Sequence, residues 1–278
     1  MQSQIKDLLE FTPSDNSYTD KLFRPIEAYF SPKSYGTENI PQDRPVLFVG
    51  NHTIYGVLDP MMIVRSIYQS RGVFPRSLAD HMHFGVPLWT PYIKSMGIVE
   101  GTREICSALM ENKQSVLVFP GGAREVFKRK GESYKLVWKE RTGFVKMALE
   151  HGYDIVPFAS VGPDHAYSVM LDANDISKGL GARFRNSQFY QKTLRKGDMI
   201  PPIARGIGLT AIPRPERFYF SFGKPIATAH LQDEKQGDVL FPVREQVADA
   251  INEQIAELLA IREQDTDKGI LRKLLTAL

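Results

Sequence analysis

Residues 46–60 read VLFVGNHTIYGVLDP, and this stretch decides how the chain is expected to fold. The apolar run VLFVG has the length of a strand buried on both faces, and it ends at Gly50. Asn51 and His52 follow at once, and Asp59 stands seven positions after the histidine. Polar residues that directly follow a buried strand predict a functional site at the edge of a sheet.

Three further apolar runs are typical of strands: SVLVFPGG (115–122), DIVPFASVG (154–162) and RFYFSFG (217–223). Helical patterns separate the earlier runs. Thr102 is a predicted N-cap for REICSALMEN, and Gly152 is a predicted end for ERTGFVKMALEHG. Strands that alternate with helices predict an α/β fold, with a mostly parallel central sheet flanked by helices.

No linker or internal repeat divides the chain, so we expect a single domain over residues 1–278. Within it the patterns predict an N-terminal helical extension (1–44), a core that carries the site (45–230) and C-terminal helices (231–278). Apolar residues at helical spacing from Val243 to Leu259 predict that the last segment packs on the core.

The composition excludes several classes of protein. The formal net charge of +3 is far from the concentrated positive charge of a nucleic-acid-binding domain, so no nucleic-acid partner is expected. Cys106 is the only cysteine, which excludes an intrachain disulfide. No apolar run approaches the ~18 residues of a membrane-spanning helix, and no signal-peptide pattern opens the sequence. We therefore expect a cytoplasmic protein that contacts membranes only peripherally.

Motifs for nucleotide binding, serine hydrolysis and metal binding are missing. No P-loop or GxGxxG pattern follows a strand, and the nearest approach to a nucleophile elbow has Tyr219 where glycine is required. The histidines of ADHMHFG (79–85) lack the H-E-x-x-H spacing. We predict a loop there and no metal site.

His52 is the candidate catalytic residue, because histidine is the side chain best suited to proton transfer near neutral pH. A carboxylate on the far ring nitrogen would fix the tautomer, and Asp59 is the candidate for it. Seven positions on a straight helix span about 10.5 Å, too far for a hydrogen bond. The pairing therefore requires the TIYG segment to loop out at Gly56. Alternatively, Asp59 caps or packs the following helix, and another group orients His52.

A second polar segment, FPGGARE, leaves the strand that ends near residue 119. Gly121 and Gly122 let the backbone approach a ligand closely, and Arg124 and Glu125 add a cation and an acid. The alternative is a tight turn followed by a solvated ion pair. Polar groups at two strand ends of one sheet favour a site.

Four blocks carry a resemblance to a known family: NHTIYGVLDP, GIVEGTRE, VFPGGARE and DIVPFASVG. They occur in the order found in the glycerolipid acyltransferases, the lysophospholipid acyltransferase superfamily, over roughly two-thirds of the chain. The third block of that family usually reads FPEGTRS, whereas here Gly121 and Ala123 replace the glutamate and the threonine. This version resembles the branch of monoacylglycerol and diacylglycerol acyltransferases and phytyl-ester-synthase-like proteins. The first block departs too, because the family's usual spacing is H-x4-D.

The resemblance implies an O-acyltransferase that moves an acyl group from a thioester to the hydroxyl of a (lyso)glycerolipid or other lipid alcohol. His52 would take the proton from the hydroxyl, and Asp59 would hold the ring. Backbone amides at Gly121 and Gly122 would stabilise the oxyanion. The donor would be acyl-coenzyme A or an acyl carrier protein, with no separate cofactor and no metal. The membrane surface is an expected partner.

The family's blocks also imply residues that bind the substrates. Arg124 would bind an anionic group, unless Glu125 is only its ion-pair partner. Arg103 would hold the acceptor, unless it lies on a solvated helix face. Asn51 and Glu125 complete the expected set.

Two other functions remain open at this stage. One is a thioesterase-like hydrolase in which water replaces the alcohol. The other is a lipid-binding protein on an inactivated scaffold, which the long His–Asp spacing favours.

Overall fold

The computed structural model describes residues 8–13, 16–266 and 269–277. In these ranges the strands are β1 Lys33–Tyr35, β2 Leu47–Gly50, β3 Arg76–Ala79, β4 Val99–Glu100, β5 Val116–Val118, β6 Ile155–Val161, β7 Ser168–Leu171, β8 Ile203–Arg205 and β9 Tyr219–Phe222. The α-helices are α1 Asn16–Phe30, α2 Asp59–Arg71, α3 Trp89–Ser95, α4 Arg103–Glu111, α5 Gly122–Val126, α6 Gly143–His151, α7 Ala173–Gly179, α8 Ala182–Arg185, α9 Gln236–Gln264 and α10 Ile270–Ala277.

One seven-stranded sheet organises the fold, in the order β1-β9-β6-β2-β5-β3-β4. Neighbouring strands in it are parallel except β6 and β9, which are antiparallel. A separate antiparallel ribbon consists of β7 and β8. The predicted fold class, a single α/β domain with a mostly parallel sheet between helices, is confirmed.

The central strands send alternate side chains into two apolar layers. On β2, Leu47 and Val49 enter the layer covered by α4, α6 and α9, whereas Phe48 enters the layer covered by α2. β6 alternates in the same way, with Ile155 on the first side and Val156 on the second. Because both faces are covered, nearly every position of these strands is apolar, with Ser160 on β6 as the exception, which explains the long apolar runs in the sequence.

Three parallel strands meet at the edge where polar residues were predicted. β2 lies between β5 and β6, so the carboxyl ends of all three strands are neighbours. Asn51 follows β2, Phe119 follows β5 and Gly162 follows β6. In open α/β sheets this edge is where ligands bind.

The predicted helix ends agree with the structure. Thr102 caps α4 by accepting a hydrogen bond from the Ile105 N–H at 3.2 Å, and Gly152 ends α6 with φ 65°. The sequence patterns did not indicate β1, β3, β4, β7 or β8. Of these, β1 lies inside the segment predicted as a helical extension and pairs with β9. Three residues are too few to show a hydrophobic period, so the sequence carried no sign of this edge strand.

Candidate active site

Asn51 holds the end of β2 against the neighbouring strand β6. Its amide donates to the Ser160 carbonyl at 3.0 Å and accepts from the Ser160 N–H at 2.8 Å. The side chain is fully buried. Both hydrogen-bonding ends of Asn51 are therefore used inside the protein, which makes it a support for the site and leaves no amide group directed at a ligand.

His52 directly follows this clamp, and both its ring and its backbone N–H make contacts that fix it. The imidazole stacks on the Phe119 ring, with 4.0 Å between the ring centroids and 15° between the planes. Its backbone N–H donates to the Glu125 carboxylate at 2.8 Å. The ring atom Nδ1 is buried and has no hydrogen-bond partner. Burial, followed by the nearby charges of Lys128 and His83, lowers the pKa of His52 to about 3.

The segment after His52 loops out at Gly56, which is the conformation that a pairing of His52 with Asp59 was expected to need. A short 3-10 turn covers Ile54–Gly56, in which Tyr55 has φ 61° and Gly56 has φ 58°. A Cβ atom at Gly56 would lie 2.3 Å from His52 Cε1 and 2.8 Å from His52 Nε2. Glycine is therefore required at 56 for two reasons, the left-handed backbone and the closeness of the imidazole.

Asp59 is buried at the first position of α2. Its Oδ1 accepts a hydrogen bond from the Thr53 hydroxyl at 2.7 Å, whereas Oδ2 has no partner. The expected hydrogen bond between His52 and Asp59 is not formed in this structure. Each residue instead keeps one buried polar atom unpaired, a ring nitrogen on one side and a carboxylate oxygen on the other. Burial raises the pKa of Asp59 to about 6, against the opposing hydrogen bond from Thr53.

The two glycines of FPGGARE form the turn between β5 and α5. The Gly122 N–H donates to the Phe119 carbonyl at 3.1 Å, so this amide is engaged in closing the turn. Arg141 holds the outer side by donating to the carbonyls of Pro120 and Gly121, at 2.7 and 2.6 Å. The turn is therefore fixed by backbone contacts from both sides.

Arg124 and Glu125 do not pair with each other. Arg124 donates to both carboxylate oxygens of Glu132, at 2.9 and 2.5 Å, and lies 3.3 Å from Asp198. The interpretation of Glu125 as its ion-pair partner is therefore wrong, because the first turn of α5 points the two side chains in different directions. Arg124 is also buried, with its guanidinium held by protein carboxylates.

Glu125 is fully buried beneath His52. Its Oε1 accepts the His52 N–H, and its Oε2 is buried with no partner. Burial raises the pKa of Glu125 to about 7, against the opposing charge of Lys128. Glu125 therefore contacts the backbone of His52, and its carboxylate is not hydrogen-bonded to the imidazole ring.

Arg103 is the first residue of α4 and donates to Glu150 on α6 at 2.7 Å. Its side chain is 60% exposed. It lines an apolar cavity of about 490 Å³, on the side of β5 that faces α4 and α6. His52 lies on the opposite side of β5, with Phe119, so the structure does not bring Arg103 and His52 together.

Two buried charges next to the site were missed from the sequence. Asp164 accepts the Ile54 N–H at 2.7 Å and the Tyr134 N–H at 2.8 Å, which fixes the loop after His52. Lys128 is 3% exposed, and its ammonium lies 3.5 Å from the Asp164 carboxylate. Asp164 follows β6 within three residues, so the rule that singled out Asn51 and His52 would also have indicated it. Lys128 is the first residue of the basic segment KRKGESYKLVWKER (128–141), and no sequence feature distinguishes it from the other basic residues there.

Residues 31–161 match the family model described as Acyltransferase. The match contains β2, β5, His52 and the whole FPGGARE turn.

Some of the proteins that the chain is similar to have names that describe the synthesis of esters or storage lipids. The chain is 34% identical to phytyl ester synthase 2, chloroplastic, of Arabidopsis thaliana, over 86% of this chain and 36% of that protein. It is 29% identical to the DGAT1/2-independent enzyme synthesizing storage lipids of Homo sapiens, over 44% of this chain and 37% of that protein. The chain thus spans about a third of the length of the phytyl ester synthases that it matches.

A solved structure shares the fold. The crystal structure of the 1-acyl-sn-glycerophosphate (LPA) acyltransferase PlsC from Thermotoga maritima superposes with a TM-score of 0.50. The alignment covers 93% of this chain and 88% of that one, at 15% sequence identity. In the described part of this chain, no helix has the length and apolar content needed to cross a membrane.

Proposed function

We propose that the chain is an O-acyltransferase, which moves a fatty acyl group from a thioester to the hydroxyl of a lipid alcohol with His52 as general base. The observation that carries this proposal is the fixed imidazole at the carboxyl edge of the sheet. Phe119, Gly56 and the Glu125 carboxylate restrain it, next to a turn of two glycines. The match of residues 31–161 to the acyltransferase family model, and the similarity to a protein named phytyl ester synthase, support the same reaction.

In the proposed reaction, one proton moves from the alcohol to His52 and then from His52 to the leaving thiolate. The alcohol oxygen attacks the thioester carbon while Nε2 of His52 takes the hydroxyl proton. The tetrahedral intermediate then collapses, the carbon–sulfur bond breaks, and the thiolate leaves and recovers the proton. A thiolate is a good leaving group near neutral pH, so the reaction needs no strong general acid. The proposal includes no cofactor beyond the thioester itself. Because the Gly122 amide closes the turn, we assign the oxyanion to the backbone amide at Gly121.

Asp59 is proposed to orient His52 when substrate is bound. A histidine with a pKa of about 3 is a weak base, and a carboxylate on Nδ1 would strengthen it by stabilising the imidazolium. The unpaired oxygen of Asp59 and the unpaired Nδ1 of His52 are complementary partners for this hydrogen bond. We propose that the loop at Tyr55 and Gly56 rearranges when substrate binds and brings them together, as catalytic hydrogen bonds often tighten only with substrate.

A basic cavity beside the glycine turn supports a donor that carries phosphate groups. The cavity has a volume of about 250 Å³, and its lining includes five basic side chains and one carboxylate: Arg124, Lys139, Arg141, Arg195, Lys196 and Asp198. Its Arg141 touches the turn directly through the carbonyls of Pro120 and Gly121. An excess of positive charge in a concave site attracts polyphosphate. We propose that the phosphates of a coenzyme A thioester bind here.

Exposed apolar side chains support an acceptor taken from a membrane surface. Met82, Val86 and Leu88 are 53%, 47% and 89% exposed, in the segment whose His83 is near enough to influence His52. Large apolar side chains exposed beside a site are typical of contact with lipid. We propose that the protein works at the membrane surface, on its cytoplasmic side.

A second function, lipid binding without catalysis, is favoured by one observation. The His52–Asp59 hydrogen bond is not formed, and His52 is a weak base without it. Purified protein with an oleoyl-coenzyme A donor and a panel of lipid alcohols separates the possibilities. Ester formation supports acyl transfer, release of free acid alone indicates a hydrolase, and alcohol binding without turnover indicates a binding protein.

The donor is tested with two thioesters that differ in phosphate content. We expect Arg195→Ala combined with Lys196→Ala to raise KM at least ~10-fold for an acyl-coenzyme A. KM for the acyl-N-acetylcysteamine thioester, which has no phosphate, should change little. Arg183→Ala combined with Lys192→Ala removes two exposed charges outside this cavity and is the matched control. Equal effects on both donors would contradict the phosphate assignment.

A further inference from the structure

The FPGGARE segment of this chain carries its acid in an unusual place. The third block of the related acyltransferases usually reads FPEGTRS, so the usual acid stands at the position of Gly121 and a serine stands at the position of Glu125. This chain has glycine at the first of these positions and the acid at the second. The two positions are four residues apart and lie on either side of the first turn of α5.

Glycine is needed at position 121 because a neighbouring side chain leaves no room for a Cβ atom. The backbone conformation of Gly121 does not itself require glycine. Its φ of −66° and ψ of −28° are ordinary helical values that any residue adopts. A Cβ atom built there would lie 1.6 Å from Glu125 Oε2 and 2.4 Å from Glu125 Cβ. The side chain of Glu125 therefore occupies the volume in which a side chain at 121 would begin.

From this volume Glu125 reaches the histidine segment. Its Oε1 accepts the backbone N–H of His52 at 2.8 Å, which joins the residue after β2 to the helix after β5. The other charged groups near it are Lys128 and Asp164, and its neighbour Arg124 pairs elsewhere, with Glu132. The hydrogen bond from the His52 N–H is thus the contact through which the Glu125 carboxylate reaches the candidate base.

We propose that Glu125 is a positioning residue for His52 and that it replaces the acid missing at 121, so that Gly121 and Glu125 form a matched pair. This inference rests on the proposed function insofar as His52 is the base. The pairing itself is a property of packing and is testable without any reaction. It predicts that the residues at 121 and 125 are strongly coupled in both stability and activity.

The packing test is a double-mutant cycle in thermal unfolding. Gly121→Glu places a side chain in occupied space, and Glu125→Ser leaves the His52 N–H without its buried acceptor. We expect each to lower Tm by at least ~3 °C. The double variant, which restores the usual block at these two positions, should be more stable than Gly121→Glu alone. Additive losses of Tm would overturn the matched pair.

The positioning test follows kcat with a thioester donor and a lipid alcohol. We expect Glu125→Ser to lower kcat at least ~10-fold with little change in KM, because small displacements of a catalytic group are costly. Glu125→Gln still offers an acceptor oxygen and should lose less. Glu111→Ser, an exposed glutamate at the end of α4, is the control for loss of an acid. Equal losses in the Ser and Gln variants, or a rise in KM alone, would overturn the positioning role.

The two tests fail in different ways. An inactive wild-type protein contradicts the proposed function, while the unfolding cycle still reports on the pair. An active wild-type protein with an additive cycle contradicts the pair and leaves the proposed function intact.

Discussion

Gly56 lies directly against the imidazole of His52, and a Cβ atom at this glycine would be 2.3 Å from His52 Cε1. In the sequence, His52 is the histidine that follows a strand, and Gly56 is a glycine within the long spacing between His52 and Asp59. The structure brings these two residues into contact. It explains how six residues between His52 and Asp59 are accommodated. The chain leaves the strand, turns through Tyr55 and Gly56 with positive φ at both, and then begins α2.

Gly56→Ala should displace the imidazole. The new methyl group would collide with His52 and with Val126 Cγ1, which lies 2.6 Å from the ideal Cβ position. We expect acyl transfer to fall at least ~10-fold, with a loss of ~1–3 kcal/mol in the free energy of unfolding. Activity assays and urea denaturation measure the two effects.

Gly72→Ala is the matched control for this change. Gly72 ends α2 with φ +70° and has nothing within 4 Å of its ideal Cβ position. It therefore carries the backbone strain of the substitution without the collision. We expect a loss of stability of ~1–3 kcal/mol and unchanged activity. Equal activity losses in the two variants would contradict the contact with His52.

Asp59→Asn should lower activity and raise stability in alkaline solution. The pKa of Asp59 is about 6 in the folded protein, above the ordinary value of ~3.9 expected in the unfolded chain. The folded state therefore holds this proton more tightly. The stabilising contribution is complete below about pH 4 and is lost as the pH rises through about 6.

The pH dependence of unfolding measures this effect. The wild-type protein should lose up to ~3 kcal/mol between pH 4 and pH 8 through Asp59, and Asp59→Asn should not show this part of the loss. Glu125 titrates in both proteins, so their difference isolates Asp59. Identical pH profiles of unfolding would show that Asp59 is not the buried acid described above. Full activity of the variant would contradict its role toward His52.

Asn51→Ala should destabilise the sheet edge strongly. The substitution leaves both the N–H and the carbonyl of Ser160 without their buried partner. We expect a loss of about 2–4 kcal/mol in the free energy of unfolding. Asn112→Ala removes one exposed hydrogen bond, to the Ala108 carbonyl, and should cost less than ~1 kcal/mol. A loss for Asn51→Ala no larger than the control would contradict the clamp.

The sequence predicted the elements whose signals are local and periodic. Both faces of β2 and β6 are covered, so their apolar runs were unambiguous. Thr102 caps the start of α4 and Gly152 caps the end of α6, as capping chemistry requires. The positive-φ loop at Gly56 was predictable because the His–Asp spacing fits no straight helix. β1 was missed, since an edge strand of three residues has no period of its own.

The partners of the site residues could not be predicted, because they come from distant parts of the chain. Glu125 contacts His52 across 73 positions, and Asp164 holds the Ile54 amide across 110. Arg124 pairs with Glu132 and not with its neighbour Glu125. This pairing depends on the direction of α5, which the sequence does not give. The residue types indicated a site at the sheet edge. The structure was needed to separate the residues that support the site from the candidates for reaction with substrate.

The central claim is that His52 takes the proton from the attacking alcohol. Single-turnover ester formation from an acyl thioester and a lipid alcohol, compared between the wild type, His52→Ala and the exposed control His230→Ala, tests it most directly. We predict a loss of ~10²–10⁴-fold in His52→Ala with the fold intact, and no loss in His230→Ala. Ester formation by a folded His52→Ala protein at the wild-type rate would contradict the account.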